Sequence, residues 1–215
     1  MARELALVLD MDGVIFDSNP VHREVWAAHN RRFGIETDEA MQQRMCGRRN
    51  DDIVRDFFGD RLTLDEVRAH GAAKERLFRE TIGPGLNEAL VPGLREFLER
   101  HRHQPLGIAT NAEPENVEFL LDTARLRPYF RAVVDGHQVA RPKPHPDIYL
   151  KTAELLGALP EDCVVFEDSF TGIQAARAAG MAVVGVGTTH DGLPGVDLEI
   201  RDFTSPALEP WLATR

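Results

Sequence analysis

Five short apolar runs, four stopped by polar residues at the carboxyl end and the fifth by glycine, constrain this chain more than any other feature. Leu5–Leu9 stops at Asp10-Met11-Asp12-Gly13, Gln104–Ala109 at Thr110-Asn111, and Ala132–Val134 at Asp135-Gly136. Cys163–Phe166 stops at Glu167-Asp168, and Ala182–Val186 at Gly187. A strand with water on neither face reads as an unbroken apolar run, the signature of a parallel sheet covered on both sides. Helix-length segments alternate with the runs at 92–102, 113–126, 146–156 and 169–179, the last two followed by Gly157 and Gly180 as left-handed caps. Alternation of this kind builds βαβ units. Leu198–Ile200 is expected as an edge strand.

One interval breaks the alternation. Residues 17–91 carry no strand pattern and are far more than one crossover requires. They hold amphipathic stretches at 20–33, 38–45, 51–58 and 64–82, punctuated by Gly34, Gly47, Gly59 and Gly83-Pro84-Gly85. Asn19-Pro20 suits a helix start. The expected fold is therefore α/β: a Rossmann-like parallel sheet core, residues 1–16 and 92–215, with a small all-α cap domain, residues 17–91, inserted after the first strand.

The net charge of −10 over 215 residues argues against nucleic-acid and anionic-membrane partners. Cys46 and Cys163 stand far apart and in no ligand spacing, there is no signal-peptide pattern, and no apolar stretch reaches membrane-spanning length. A cytoplasmic setting is expected, as a monomer or weak homo-oligomer.

Strand ends carry the chemistry. In an open parallel sheet, ligands bind beyond the carboxyl ends of the strands, where Asp10, Asp12, Thr110, Asn111, Glu167 and Asp168 can converge. Oxygen donors with no His or Cys among them suit a hard cation, Mg²⁺. Lys143 sits in the stiff segment Arg141-Pro142-Lys143-Pro144-His145-Pro146 and adds one positive group. Asp135-Gly136 lacks such partners and reads as a turn. Ser18 reads as a helix N-cap, Asp17 as a hinge or helix start, Ser169 and Thr171 as caps, Gly172 as a close-packing position and His145 as structural.

In order and spacing, Asp10-Met11-Asp12-Gly13-Val14-Ile15-Phe16-Asp17, Thr110-Asn111, Lys143 and Phe166-Glu167-Asp168-Ser169-Phe170-Thr171-Gly172 resemble the motifs of the haloacid dehalogenase-like superfamily. The resemblance is to its β-phosphoglucomutase-like phosphatase branch and spans essentially the whole chain. It implies that Asp10 is the nucleophile, forming an aspartyl-phosphate, and that Asp12 is the general acid and then base. It implies that Asp10, the Asp12 carbonyl and Asp168 ligate Mg²⁺, with Glu167 acting directly or through water. Thr110 would hold phosphoryl oxygens, Lys143 would spread their charge, and Asn111 would bind substrate.

Further substrate contacts implied in the cap are Gly47 and Arg48, which face the nucleophile, together with Lys74 and His22. The sugar-phosphate mutases of the branch carry Arg three residues after that glycine, where this chain has Asn50. The expected activity is Mg²⁺-dependent hydrolysis of small phosphomonoesters such as sugar phosphates or phosphoglycolate. The alternatives are a hexose-phosphate mutase and a catalytically silent binding protein on the same fold.

Overall fold

The computed structural model describes residues 4–45, 48–190 and 192–215. Six parallel strands form one sheet in the order β3-β2-β1-β4-β5-β6. They are β1 (Ala6–Leu9), β2 (Leu106–Ala109), β3 (Ala132–Val134), β4 (Cys163–Glu167), β5 (Ala182–Val186) and β6 (Leu198–Ile200). The last is the expected edge strand, pairing Val186 with Ile200. β1 is central, with Leu7 opposite Leu106 on one side and Val164 on the other. The chain winds outward from β1 through β2 and β3, then returns to β4 on the other flank. The switch point of the topology, where such sheets open a crevice, therefore lies between β1 and β4.

Side chains of a strand alternate between its two faces, and both faces here are dry. Leu7, Leu9, Leu106, Ile108, Val164, Phe166 and Val184 pack on one face with α5 (Leu94–Arg100), α6 (Pro114–Thr123) and α9 (Leu208–Leu212). Ala6, Val8, Ala109, Val134, Val165 and Val183 meet α7 (Asp147–Leu156) and α8 (Phe170–Ala178) on the other. The unbroken apolar runs are thus two alternating faces read as one string.

The interval after β1 folds as α1 (Asn19–Arg31), α2 (Glu39–Met45), α3 (Asn50–Phe58) and α4 (Leu64–Ile82). α4 opens with a capping box in which Thr63 and Glu66 satisfy each other's end groups. Trp26, Met45, Ile53, Val54 and Val67 form a cluster of their own. Val25, Phe78 and Ile82, from the sheet-proximal parts of α1 and α4, belong instead to the sheet's core. No helix among the described residues is long and apolar enough to cross a membrane.

Candidate active site

The strand ends bring Asp10, Thr110, Glu167 and Asp168 together, all buried, and Lys143 reaches them from the loop before α7. The lysine spends its three N–H groups there. It donates to Asp10 Oδ1 at 2.9 Å, to the Ala109 carbonyl at 2.9 Å and to Glu167 Oε1 at 2.6 Å. Burial alone would lower its pKa, but Asp10 and Glu167 outweigh it and hold the lysine charged. The Asn111 side-chain oxygen accepts from the Lys143 backbone N–H at 3.4 Å, tying the second motif to the third. Asp135 stays a turn residue, accepting from His137 N–H, while Gly136 packs on the Asn111 backbone.

Glu167 is the frame of the site. Its Oε1 also accepts from the Tyr149 hydroxyl at 2.6 Å. Its Oε2 accepts from the Asp168 and Ser169 backbone N–H groups, both at 3.1 Å, and from the Ser169 hydroxyl at 2.9 Å. Ser169 caps α8 by accepting from Gly172 N–H. Gly172 must be glycine, because a β-carbon there would overlap the Glu167 carboxylate. Gly13, at φ +78°, is required on two counts: the left-handed backbone, and a β-carbon that would overlap Asp168.

Asp168 Oδ2 accepts from the Asn19 side-chain amide at 2.9 Å and from the Thr189 hydroxyl. Asp10, Glu167 and Asp168 each present an oxygen within 4.8 Å of the others. Burial, with mutual repulsion added, pushes Asp168 well above the usual carboxylate range and Asp10 up to about 7, against the pull of Lys143. A crowded, all-oxygen, electron-rich cluster of this kind fits a small divalent cation. Both Glu167 oxygens are filled by protein donors, so the ligand set that fits best is Asp10 and Asp168.

Asp12 stands apart from that cluster. Its Oδ1 accepts from the Ser18 hydroxyl at 2.6 Å and lies 3.2 Å from His22 Nε2. Ser18 was expected to cap α1; its backbone is already helical (φ −93°, ψ −15°) and Pro20 offers no N–H, so its oxygen makes no cap hydrogen bond while its hydroxyl donates to Asp12. His22 Nδ1 is 2.6 Å from Lys74 Nζ. An ammonium can only donate, so Nδ1 is the acceptor and the ring hydrogen sits on Nε2, directed at Asp12. His22 stacks flat on Phe78 at 3.9 Å, which fixes the ring. Burial works to raise the Asp12 pKa, but His22, Ser18 and Lys74 together hold it below its ordinary value.

The pocket that holds Asp10 and Asp12 is also lined by Thr110, Asn111, His22, Arg23, Arg48, Asn50, Lys74, Glu75, Glu113 and Asn116. Lys74 and Arg48 were expected to grip substrate. Lys74 is fully buried and committed to His22 and to Glu75 Oε1 at 2.8 Å, under the rings of Trp26 and Phe78. Arg48 lines the pocket but bonds Asp56 Oδ2 at 3.1 Å and the carbonyls of Asp52 and Arg44. His22 acts on Asp12 as well as lining the pocket. Gly47 lies outside the described residues.

Tyr149, Asn19, Thr189 and Glu75 escaped the sequence reading. Only Tyr149 left a signal: a tyrosine on an apolar helix face must find a partner for its hydroxyl, and Glu167 is that partner.

An acidic cluster with one buried lysine, at the switch point of a parallel sheet and faced by helices inserted after β1, defines a class of α/β hydrolases. The chain belongs to the haloacid dehalogenase-like hydrolases: their family model matches residues 5–180. It is 35% identical over 186 residues to the fructose-1-phosphate phosphatase YqaB of Escherichia coli, covering 86% of this chain and 97% of that one. It is 31% identical over 209 residues to the β-phosphoglucomutase of Bacillus subtilis, covering 95% and 92%. A β-phosphoglucomutase structure from Clostridium difficile has the same fold, with a TM-score of 0.88 over 98% of this chain and 96% of that chain at 22% identity.

Proposed function

We propose that the chain is a divalent-cation-dependent phosphatase of small phosphomonoesters, sugar phosphates foremost, working through a phosphoryl group on Asp10. Residues 17–91 act as the cap over the site. The supporting observation is the division of labour between two carboxylates two residues apart. Asp10 is locked on Lys143 in the cation cluster, while Asp12 is turned away from it onto Ser18 and His22.

In the first step an Asp10 oxygen attacks phosphorus and the P–O ester bond breaks; Asp12, ionised before substrate binds, takes up the proton of a monoanionic phosphate ester as it binds and passes it to the leaving oxygen. In the second, water attacks the same phosphorus, its proton passes to Asp12, the bond to Asp10 breaks and inorganic phosphate leaves. Lys143 offsets the charge that gathers on Asp10, and Thr110 with Asn111 holds phosphoryl oxygens. Mg²⁺, held by Asp10, Asp168 and the Asp12 carbonyl, would supply the charge neutralisation that lets a carboxylate approach a phosphate.

Both the phosphatase and the mutase named above handle phosphorylated sugars, which supports the substrate class. The mutase likeness favours a second reading, transfer between two hydroxyls of one hexose phosphate. Phosphate release from a panel of phosphomonoesters, with Mg²⁺ and with chelator, tests both. Mg²⁺-dependent release that Asp10→Asn abolishes is the expected result. Isomerised hexose phosphate without release selects the mutase, and neither product would leave a silent binding protein.

A further inference from the structure

Tyr149 of α7 is fully buried in the apolar cluster that holds Ala6, Val8, Ala109 and Val165. Its hydroxyl donates to Glu167 Oε1 at 2.6 Å, the oxygen that Lys143 Nζ also reaches at 2.6 Å. A carboxylate can only accept, so the phenolic hydrogen points at Oε1. The centre of the Tyr149 ring lies 5.0 Å from the same Nζ, within range of a cation–π contact. Packing does not call for the hydroxyl. A phenylalanine would fill the same space and leave no group unsatisfied, because Oε1 would keep its bond from Lys143.

Lys143 has two anionic neighbours and one positive charge to divide between them. Its contact with Asp10 Oδ1 is 2.9 Å and its contact with Glu167 Oε1 is 2.6 Å. The shorter one goes to the carboxylate that takes no part in bond making. Each further donor on Oε1 offsets part of the charge there and weakens the hold of that oxygen on the lysine. The Asp168 and Ser169 groups all serve Oε2, so among the described residues Tyr149 shares Oε1 with Lys143 alone.

We propose, resting on the phosphatase reading, that Tyr149 is a positioning residue: by donating to Glu167 Oε1 it sets how Lys143 is shared between Glu167 and Asp10. The effect belongs to the transition state. Asp10 and the phosphoryl oxygens crowd their negative charge together only as the new bond forms, and it is then that the part of Lys143 directed at Asp10 counts. Without the hydroxyl, Glu167 draws the lysine toward itself and that part shrinks.

The test is Tyr149→Phe, which keeps the ring beside Lys143 and removes the hydroxyl alone, with Thr152→Val as its control. Thr152 is also fully buried on α7, and its hydroxyl donates to the Ile148 carbonyl at 2.8 Å, so the control loses a buried hydroxyl that serves only the helix. On 4-nitrophenyl phosphate with Mg²⁺, kcat and kcat/KM of Tyr149→Phe should both fall about tenfold with KM within about twofold of wild type, the pattern of an interaction made in the transition state. Thr152→Val should keep the wild-type kcat, and the Mg²⁺-induced thermal shift should persist in both variants. An unchanged kcat in Tyr149→Phe, a raised KM with kcat intact, an equal fall in Thr152→Val, or loss of the Mg²⁺ shift in Tyr149→Phe would each overturn the inference. Absence of Mg²⁺-dependent release by the wild-type protein would instead defeat the phosphatase reading, and this inference with it.

Discussion

Glu167→Gln separates framing the site from ligating its cation. The carboxylate accepts five hydrogen bonds, two at Oε1 and three at Oε2. A glutamine can accept at only one of those positions, and its NH₂ meets donors at the other. The Tyr149 and Ser169 hydroxyls can rotate to accept, but the Lys143 ammonium and the two backbone N–H groups cannot. The least costly orientation puts NH₂ toward Lys143 and loses that charged pair. A hydrogen bond to a charged group contributes ~1.5–3 kcal/mol, and leaving a buried ion without one partner costs ~3–5 kcal/mol. Removing the Glu167 charge also relieves Asp10 and Asp168, whose carboxyls it pushes upward, and this offsets part of the loss. A net destabilisation of about 3 kcal/mol is expected. Urea unfolding in chelator at pH 7 should show a lower midpoint at unchanged slope. Mg²⁺ titration followed by thermal shift should show affinity falling by about tenfold or less, the effect of one nearby charge. An unchanged midpoint, or a loss of Mg²⁺ response as complete as that of Asp168→Asn, would refute the reasoning and make Glu167 a direct ligand.

Asp168→Asn should do the reverse. The folded pKa of Asp168 is raised, so without cation the fold is penalised once pH exceeds the unfolded value of 3.8, and the neutral amide escapes that penalty. Its cation-free melting temperature at pH 7.5 should exceed that of the wild type while the Mg²⁺-induced shift disappears; a lower value would show Asp168 to be structural. His22→Ala should lower kcat on an alkyl phosphate roughly 10- to 100-fold, and much less on 4-nitrophenyl phosphate, whose leaving group needs little proton donation. Equal losses on both would exclude an action through Asp12. His29 lies against His70 with its Nε2 3.0 Å from that ring, and burial, His70, Arg32 and Lys74 push its pKa down to about 4. The unfolded ring titrates near 6.5, so stability present above that pH is lost as it falls toward 4. The urea midpoint should drop across that window and the drop should shrink in His29→Gln; a flat wild-type profile would contradict it.

The unbroken apolar runs required strands buried on both faces, hence a parallel sheet, and a parallel sheet sets the carboxyl ends, with the polar residues that four of those runs carry there, on one edge. That Asp10, Thr110, Lys143, Glu167 and Asp168 would come together was legible for that reason: four stand at carboxyl ends of neighbouring strands, and the stiff proline-flanked loop carries the lysine to them. The helical character of 17–91 was legible from its period. Tertiary structure alone decided what depends on side chains distant in sequence. Ser18 looked like a cap because capping is local, yet a carboxylate six residues back claimed its hydroxyl. Lys74 and Arg48 looked available because sequence shows charge and not the partner that consumes it. Asn19 reaches Asp168 across 149 positions, and Asn50 joins Glu75 to Glu113, contacts that no local pattern encodes. Residue type and period are properties of a string, whereas who satisfies whose hydrogen bond is settled only when the sheet and the inserted helices close on each other.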